Sequence, residues 1–462
     1  MTAEGRNGDG RVRAPTEGPD DVTAEIAAYT GVGPLGTFSR GIRARGTHWM
    51  LVGAGVAAVG AYLFQLIGAR SLGQVAYAPI GALWTVQYLI VSVILYPVET
   101  YVTHRTLLGH ASGPGARAPL ARIWGWIAGT SVILTASAWA LRSQLFLGMA
   151  DVALVVGLVT VAYAAFMIVR GRLAGTERFK AYGLVTASES LGRAVLAAGV
   201  VWVAATTRAL AWVMPLGALG AAALWLILKR RPREPRPARA MPLAPTRPLR
   251  FLVVTTTANG MLQLLLAGGP LVLVFLGAPP EDVSILFVTL AAARVPLVFF
   301  FSGLLSRLLP TFLHLAGSEE GRALTRTSLW IALGTGGVAL LGGLAAAAIG
   351  SSLVGVLFGR SFAPEWWVAA GVTTGVLLAT GSMVLNQLLI AQGSEDRSLI
   401  AWGVALAASA GTLVTAGGAP TTRVVIAFVV GEAVALLGLA AGARRPSLVS
   451  ALPGAIPPAR TP

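Results

Sequence analysis

The sequence predicts an all-α, polytopic membrane protein with about twelve transmembrane helices. Three observations carry this. Of 462 residues, 55% are hydrophobic and only 12% are charged, against about 25% charged in soluble domains. Mean hydropathy is +0.73. The apolar residues fall into repeated runs near the ~20 residues that cross a hydrocarbon core as a helix. A soluble fold of this length has more surface than so few charges can cover. A membrane barrel would alternate apolar and polar residues in ~10-residue segments, whereas these runs are continuous.

In chain order the spans are expected at 49–69, 75–98, 122–141, 151–169, 184–205, 209–228, 251–277, 284–306, 327–349, 366–391, 398–417 and 422–442. The run at 151–169 is short for a span, and the pair at 184–228 is closely spaced. Residues 1–46 are polar, rich in Gly and Arg, and lack the apolar stretch of a signal peptide. They read as a disordered cytoplasmic tail, as does 443–462.

The basic residues test this count through the positive-inside rule. With the N-terminus inside, 28 of the 35 Lys and Arg fall on inside segments and five on outside loops; Arg193 and Arg294 lie within spans. A wrong number of spans would scramble that asymmetry. It implies an even count, with both termini cytoplasmic in a plasma membrane. Nearly all the positive charge is Arg, set between apolar runs rather than on one basic face. The net charge of +16 therefore does not indicate nucleic acid. The chain has no cysteine, which excludes disulfides and thiolate chemistry. Its four histidines, His48, His104, His110 and His314, are not paired at metal-ligand spacing. No metal or cofactor is expected.

Residues 229–250, KRRPREPRPARAMPLAPTRPLR, form a Pro/Arg-rich linker that is extended and solvated. It divides the chain into a half at 47–228 and a half at 251–442, with six spans each. A short echo links the halves at an offset of 204 residues: Leu72-Gly73 recurs as Leu276-Gly277, and His110 as His314. Six spans per half imply a parallel repeat, and such repeats place a substrate path at their interface.

Four charges lie well within spans: Glu189, Arg193, Arg294 and Glu432. A charge at a helix centre costs roughly 2.5–3.5 kcal/mol on insertion scales, so it normally faces a cavity or a partner. Glu189 and Arg193 are four apart and share a helix face. Arg193 and Arg294 both sit near mid-depth, one in each half. Glu432 has no charged neighbour in its span; it either pairs with Arg294 across the bundles or carries a coupling proton. Glu99 and Asp151 read as boundary residues at span ends. Asn259, Gln263, Asn386 and Gln387 supply polar groups for a ligand or for bonds between helices. The pairs Gly125/Gly129 and Gly371/Gly375 suit close helix packing. Pro97, Pro215, Pro270 and Pro296 are candidate kinks.

Five segments carry a family resemblance: Gly68–Arg105, which opens GARSLG; Arg170–Arg193, RGRLAGTERFKAYGLVTASESLGR; Arg294–Pro310, RVPLVFFFSGLLSRLLP; Val356–Phe362, VLFGRSF; and Asn386–Gly393, NQLLIAQG. In order and spacing they resemble the polysaccharide biosynthesis flippases of the multidrug, oligosaccharidyl-lipid and polysaccharide exporter superfamily. The resemblance covers most of residues 47–442. It implies two six-helix bundles around a central cavity and flipping of a lipid-linked oligosaccharide. It also implies a non-enzymatic role beside polysaccharide polymerases and glycosyltransferases, in a bacterial membrane. On that reading Arg294 and Arg193 would bind the substrate's pyrophosphate, since guanidinium matches phosphate oxygens with a planar donor fork. Glu432 and Glu189 would be coupling or charge partners, and Asn259, Gln263, Asn386 and Gln387 sugar contacts. For Arg193 the alternative is an intrahelical pair that only neutralises Glu189.

A cation-coupled multidrug exporter of the same superfamily is the second reading, although the first span, Trp49–Ala69, holds no Asp or Glu. A different twelve-span transporter would carry a basic Gly/Asp motif between spans two and three. A glycan-joining membrane enzyme would need a long outside loop with polar catalytic residues.

Overall fold

The computed structural model describes residues 47–112, 120–228, 248–295, 321–392 and 394–443. The linker core, both tails and much of the eighth expected span lie outside these residues.

Among the described residues every regular element is helical. This follows from the solvent the sequence anticipates, because hydrocarbon forces each backbone group to be satisfied within its own segment. The run Thr47–Leu89 is two helices that meet at Gly73 (φ 74°): α1 (47–72) and α2 (from 74). Helix α2 continues through a π-helical stretch, Ile90–Leu95, into Tyr96–Ser112. The first half is completed by α3 (Leu120–Ala140), α4 (Ala150–Gly175), α5 (Phe179–Val203) and α6 (Thr207–Leu228). In the second half α7 is broken into Pro248–Ala267 and Gly269–Phe275. Then follow α8 (Pro280–Ala293), α9 (Gly321–Phe358), α10 (Trp366–Ala391), α11 (Glu395–Thr415) and α12 (Pro420–Ala443). A helix thus stands at each of the twelve expected spans, the eighth described only in its first part.

The short run at 151–169 proves to be α4, a 26-residue helix and the one whose span is most enclosed. Helices α2, α3, α5 and α6 pack around it. By contrast α9 shows Leu333, Val338, Leu340, Leu341 and Leu344 on its outer face. A row of exposed aliphatics on 38 residues is a liability in water and the expected lipid face in a bilayer.

The two glycine pairs differ. A side chain at Gly371 or Gly375 would run into Val425 or Phe428 of α12, so these glycines let α10 and α12 close up. A side chain at Gly125 or Gly129 of α3 would meet nothing within 4 Å among the described residues, so the packing expected of them is not found there.

The repeat marked by Leu72-Gly73 and Leu276-Gly277 has a conformational counterpart. Gly73 and Gly277 both have φ 74°, a left-handed value that glycine adopts without steric penalty, and each sits in the turn between an odd-numbered helix and the next. The side of the molecule carrying these turns is called the far face here. The halves touch on that face. Phe287, Val288, Val354, Phe358 and Phe362 of the second half pack into the hydrophobic core of the first.

Candidate functional site

The site is built around two prolines and the carbonyls they release. A proline has no N–H, so the carbonyl four residues earlier in an α-helix loses its donor. Pro270 does this to Leu266. Helix α7 bends by 71° between its two pieces, and the Leu266 carbonyl instead accepts a hydrogen bond from the Arg294 guanidinium. In α2 the Tyr96 N–H turns back to Val91 O, in π register. The next amide in that register belongs to Pro97 and cannot serve the Ser92 carbonyl. Asn259 Nδ2 of α7 donates to it at 2.7 Å, across the two halves. A second crossing lies one turn away, where Tyr88 Oη donates to Gln263 Oε1 at 2.9 Å.

These contacts border a narrow cleft between the halves. Trp84, Thr85 and Tyr88 line it from α2; Ala267 and Pro270 from the break in α7; Phe287, Leu290 and Arg294 from α8. Among the described residues of this lining, Arg294 is the single charged one. Its guanidinium lies 5.9 Å from the Tyr88 ring centre, and its Nε is buried without a hydrogen-bond partner. A guanidinium with a donor left over, beside aromatic faces and out of bulk water, is suited to an anion.

Glu432 is fully buried on α12, and neither carboxylate oxygen has a hydrogen-bond partner. The expected pairing with Arg294 across the bundles needs correction: α8 and α12 belong to the same half, and among the described residues no ion pair joins the two side chains.

Arg193 lies behind the cleft wall. It is 2% exposed, 3.3 Å from Glu189, and donates to Tyr163 Oη at 2.7 Å. Tyr163 and Ser190 hydroxyls donate in turn to the Glu189 carboxylate. The Arg193 guanidinium stacks over Trp84 at 4.4 Å and Phe64 at 5.4 Å, so Trp84 stands between it and the cleft. The intrahelical pair anticipated for Glu189 and Arg193 is what the geometry contains. Asn386 is engaged inside the second half, its Oδ1 accepting from Ser398 Oγ and from Trp402 Nε1 at 3.2 Å. Gln387 is half-buried next to it.

The structure adds a cluster that sequence reasoning placed elsewhere. Glu99 is buried, not a boundary residue, because α2 continues to Ser112. It takes a hydrogen bond from Tyr182 Oη at 2.9 Å and lies 3.3 Å from Arg170 of α4. Asp151 does sit at a helix start, in a solvent-facing pair with Arg208. Among the described residues no group of His, Asp or Glu is arranged to hold a metal ion.

No family model matches the chain. It is 28% identical over 352 residues to uncharacterized protein Rv3630 of Mycobacterium tuberculosis, covering 73% of this chain and 79% of that one. It is 30% identical over 308 residues to uncharacterized protein Rv1510 of the same organism, covering 63% of this chain and 67% of that one. Among solved structures, an inward-facing multidrug resistance MATE family transporter of the MOP superfamily superposes with a TM-score of 0.63 at 15% identity, over 85% of this chain and 97% of that one. A MOP superfamily transporter from Pyrococcus furiosus gives 0.55 at 17% identity, over 87% and 95%. An outward-facing MATE structure gives 0.52 at 16%, over 86% and 93%. The helices are thus arranged in the fold of the MATE and MOP superfamily transporters, and the chain belongs to the family of the mycobacterial protein Rv1510.

Proposed function

We propose that the protein flips a lipid-linked oligosaccharide, the precursor of a polysaccharide, across the cytoplasmic membrane by alternating access. Its two six-helix halves would expose the cleft to one side and then the other, with both termini cytoplasmic. Glycosyltransferases would supply the substrate, and a polymerase would take the product. One observation carries the reading: among the described residues, the lining of the cleft between the halves holds a cation, Arg294, and no acid. A pyrophosphate-linked sugar must shed water to cross, and a fixed guanidinium in a dry site offsets part of that loss. Aromatic side chains such as Trp84 and Tyr88 suit the faces of sugar rings.

Export of cationic drugs is the second reading, favoured by the likeness to a multidrug resistance MATE family transporter. A cationic drug calls for an acid in the cleft, and the lining supplies the opposite charge. The Pyrococcus furiosus transporter is described as having a binding pocket of reverse polarity that suggests a different function. On this reading the fold serves substrates of either sign.

Arg193 would hold Trp84 in place rather than touch phosphate, and Asn259 and Gln263 would exchange their bonds between halves for sugar hydroxyls when the cleft opens. The test uses purified protein in liposomes. Arg294→Ala should slow flipping of a polyprenyl-pyrophosphate-linked sugar at least ~10-fold, equivalent to about 1.4 kcal/mol, while export of a cationic dye stays at background throughout. Dye export by the unaltered protein that persists in Arg294→Ala would move the assignment to the exporter.

A further inference from the structure

Two motifs of the resemblance, ARSLG at 69–73 and VLFGRSF at 356–362, find no place in the cleft. They meet each other on the far face. Arg70 Nε donates to Leu357 O at 2.8 Å, and its Nη2 donates to Val356 O. These are carbonyls of the last turn of α9, which ends at Phe358 and turns away at Gly359 (φ 114°). The last carbonyls of a helix have no partner within it and carry its negative dipole end. Arg70 therefore caps a helix of the opposite half.

Neighbouring contacts follow the same seam. Gln74 Nε2 donates to Ser361 O, and Ser284 Oγ donates to Gln74 O at 2.7 Å. The Tyr77 ring lies 6.0 Å from Phe287 and 6.0 Å from Phe362. All these contacts join one half to the other, so they must part if the cleft is to open on this face.

The repeat provides an internal comparison. By the 204-residue offset, Arg70 corresponds to Val274 and Gln74 to Ala278. These two sit at the matching seam, against Gln144, Leu145 and Leu147 of the α3–α4 connection, where Gly148 (φ 82°) turns as Gly359 does. There the halves meet through apolar side chains, Leu271 and Val274 packing against the core that holds Leu145 and Phe146, and among the described residues no guanidinium caps a helix across the seam.

We propose that Arg70 is a one-sided latch that holds the far face shut by capping α9 across the seam, while the matching seam acts as the unlatched hinge side. The latch presupposes that the halves move relative to each other, but not any particular substrate.

The chain has no cysteine, so spin labels can be placed singly. Trp202 and Trp366 are exposed on the far face in opposite halves, and Lys180 and Arg326 are exposed near the other face. Distances are read by pulsed electron resonance on Trp202→Cys/Trp366→Cys and on Lys180→Cys/Arg326→Cys, in nanodiscs. Arg70→Ala should raise the long far-face population from about one in ten to about one in two, roughly a tenfold shift in equilibrium, and shorten the other pair. Arg70→Lys should recover part of the closed population. Arg142→Ala, at the unlatched seam, should change neither distance. Unchanged distances in Arg70→Ala, or an equal shift in Arg142→Ala, would overturn the latch. If Arg70→Ala does not fold, Gln74→Ala/Ser284→Ala must open the far face or the idea fails. Since no substrate is present, a latch that fails here leaves the flipping assignment standing, and a flipping assay that fails leaves the latch standing.

Discussion

At the scale of single residues, Pro97 and Pro270 are conspicuous in the sequence, but the consequence of each is not. Each removes a backbone donor within a helical run, and each released carbonyl is taken by a polar side chain from another helix: Asn259 for Ser92 O and Arg294 for Leu266 O. Pro270→Ala restores the N–H that Leu266 O lacks. The variant should fold and lose about tenfold in flipping rate, because Arg294 loses its anchor; flipping at the unaltered rate would contradict this. Glu189 and Arg193 show the complementary limit. Their shared face was legible from the i,i+4 spacing, whereas Tyr163 and Trp84, from other helices, were not. Removing one member of a buried pair leaves an uncompensated charge, at a cost of about 3–5 kcal/mol. Glu189→Gln should be destabilised by that order in denaturant titrations, and Glu189→Gln/Arg193→Met should regain most of it. Equal losses in the single and double variants would mean that the pair is not what holds these helices.

At the scale of elements, span positions were readable because an apolar run near 20 residues long has few alternatives to a membrane helix. What escaped was the length beyond the apolar core. Helix α2 continues to Ser112, which draws Glu99 into the bundle with Tyr182 and Arg170. The break in α7 was signalled by Pro270, but a 71° bend depends on neighbours that no local window contains. The glycine pairs separate motif from environment. Gly371→Ile or Gly375→Ile should lose about 1–3 kcal/mol to overpacking against α12, whereas Gly125→Ile or Gly129→Ile should stay within ~0.5 kcal/mol. Thermal unfolding in detergent distinguishes them, and equal losses at both pairs would refute the packing asymmetry.

At the scale of the whole molecule, the linker and two Leu-Gly dipeptides suggest a division into halves. The shared φ of 74° at Gly73 and Gly277 gives that faint echo a conformational basis. The halves touch both at the far face and at mid-depth, where Asn259 and Tyr88 bond across them. The cleft's chemistry was only half legible. Arg294 drew attention because charge in a span is costly, but its companions Trp84 and Tyr88 look like ordinary span aromatics until the fold brings α2 to α8. The account as a whole turns on whether that arginine receives an anion. A single cysteine at Thr85, on the cleft wall, reports this through its rate of maleimide modification. A polyprenyl pyrophosphate should protect it while the matching polyprenol does not, and Arg294→Ala should abolish the protection. Equal protection by the uncharged lipid, or protection that survives without Arg294, would contradict the account.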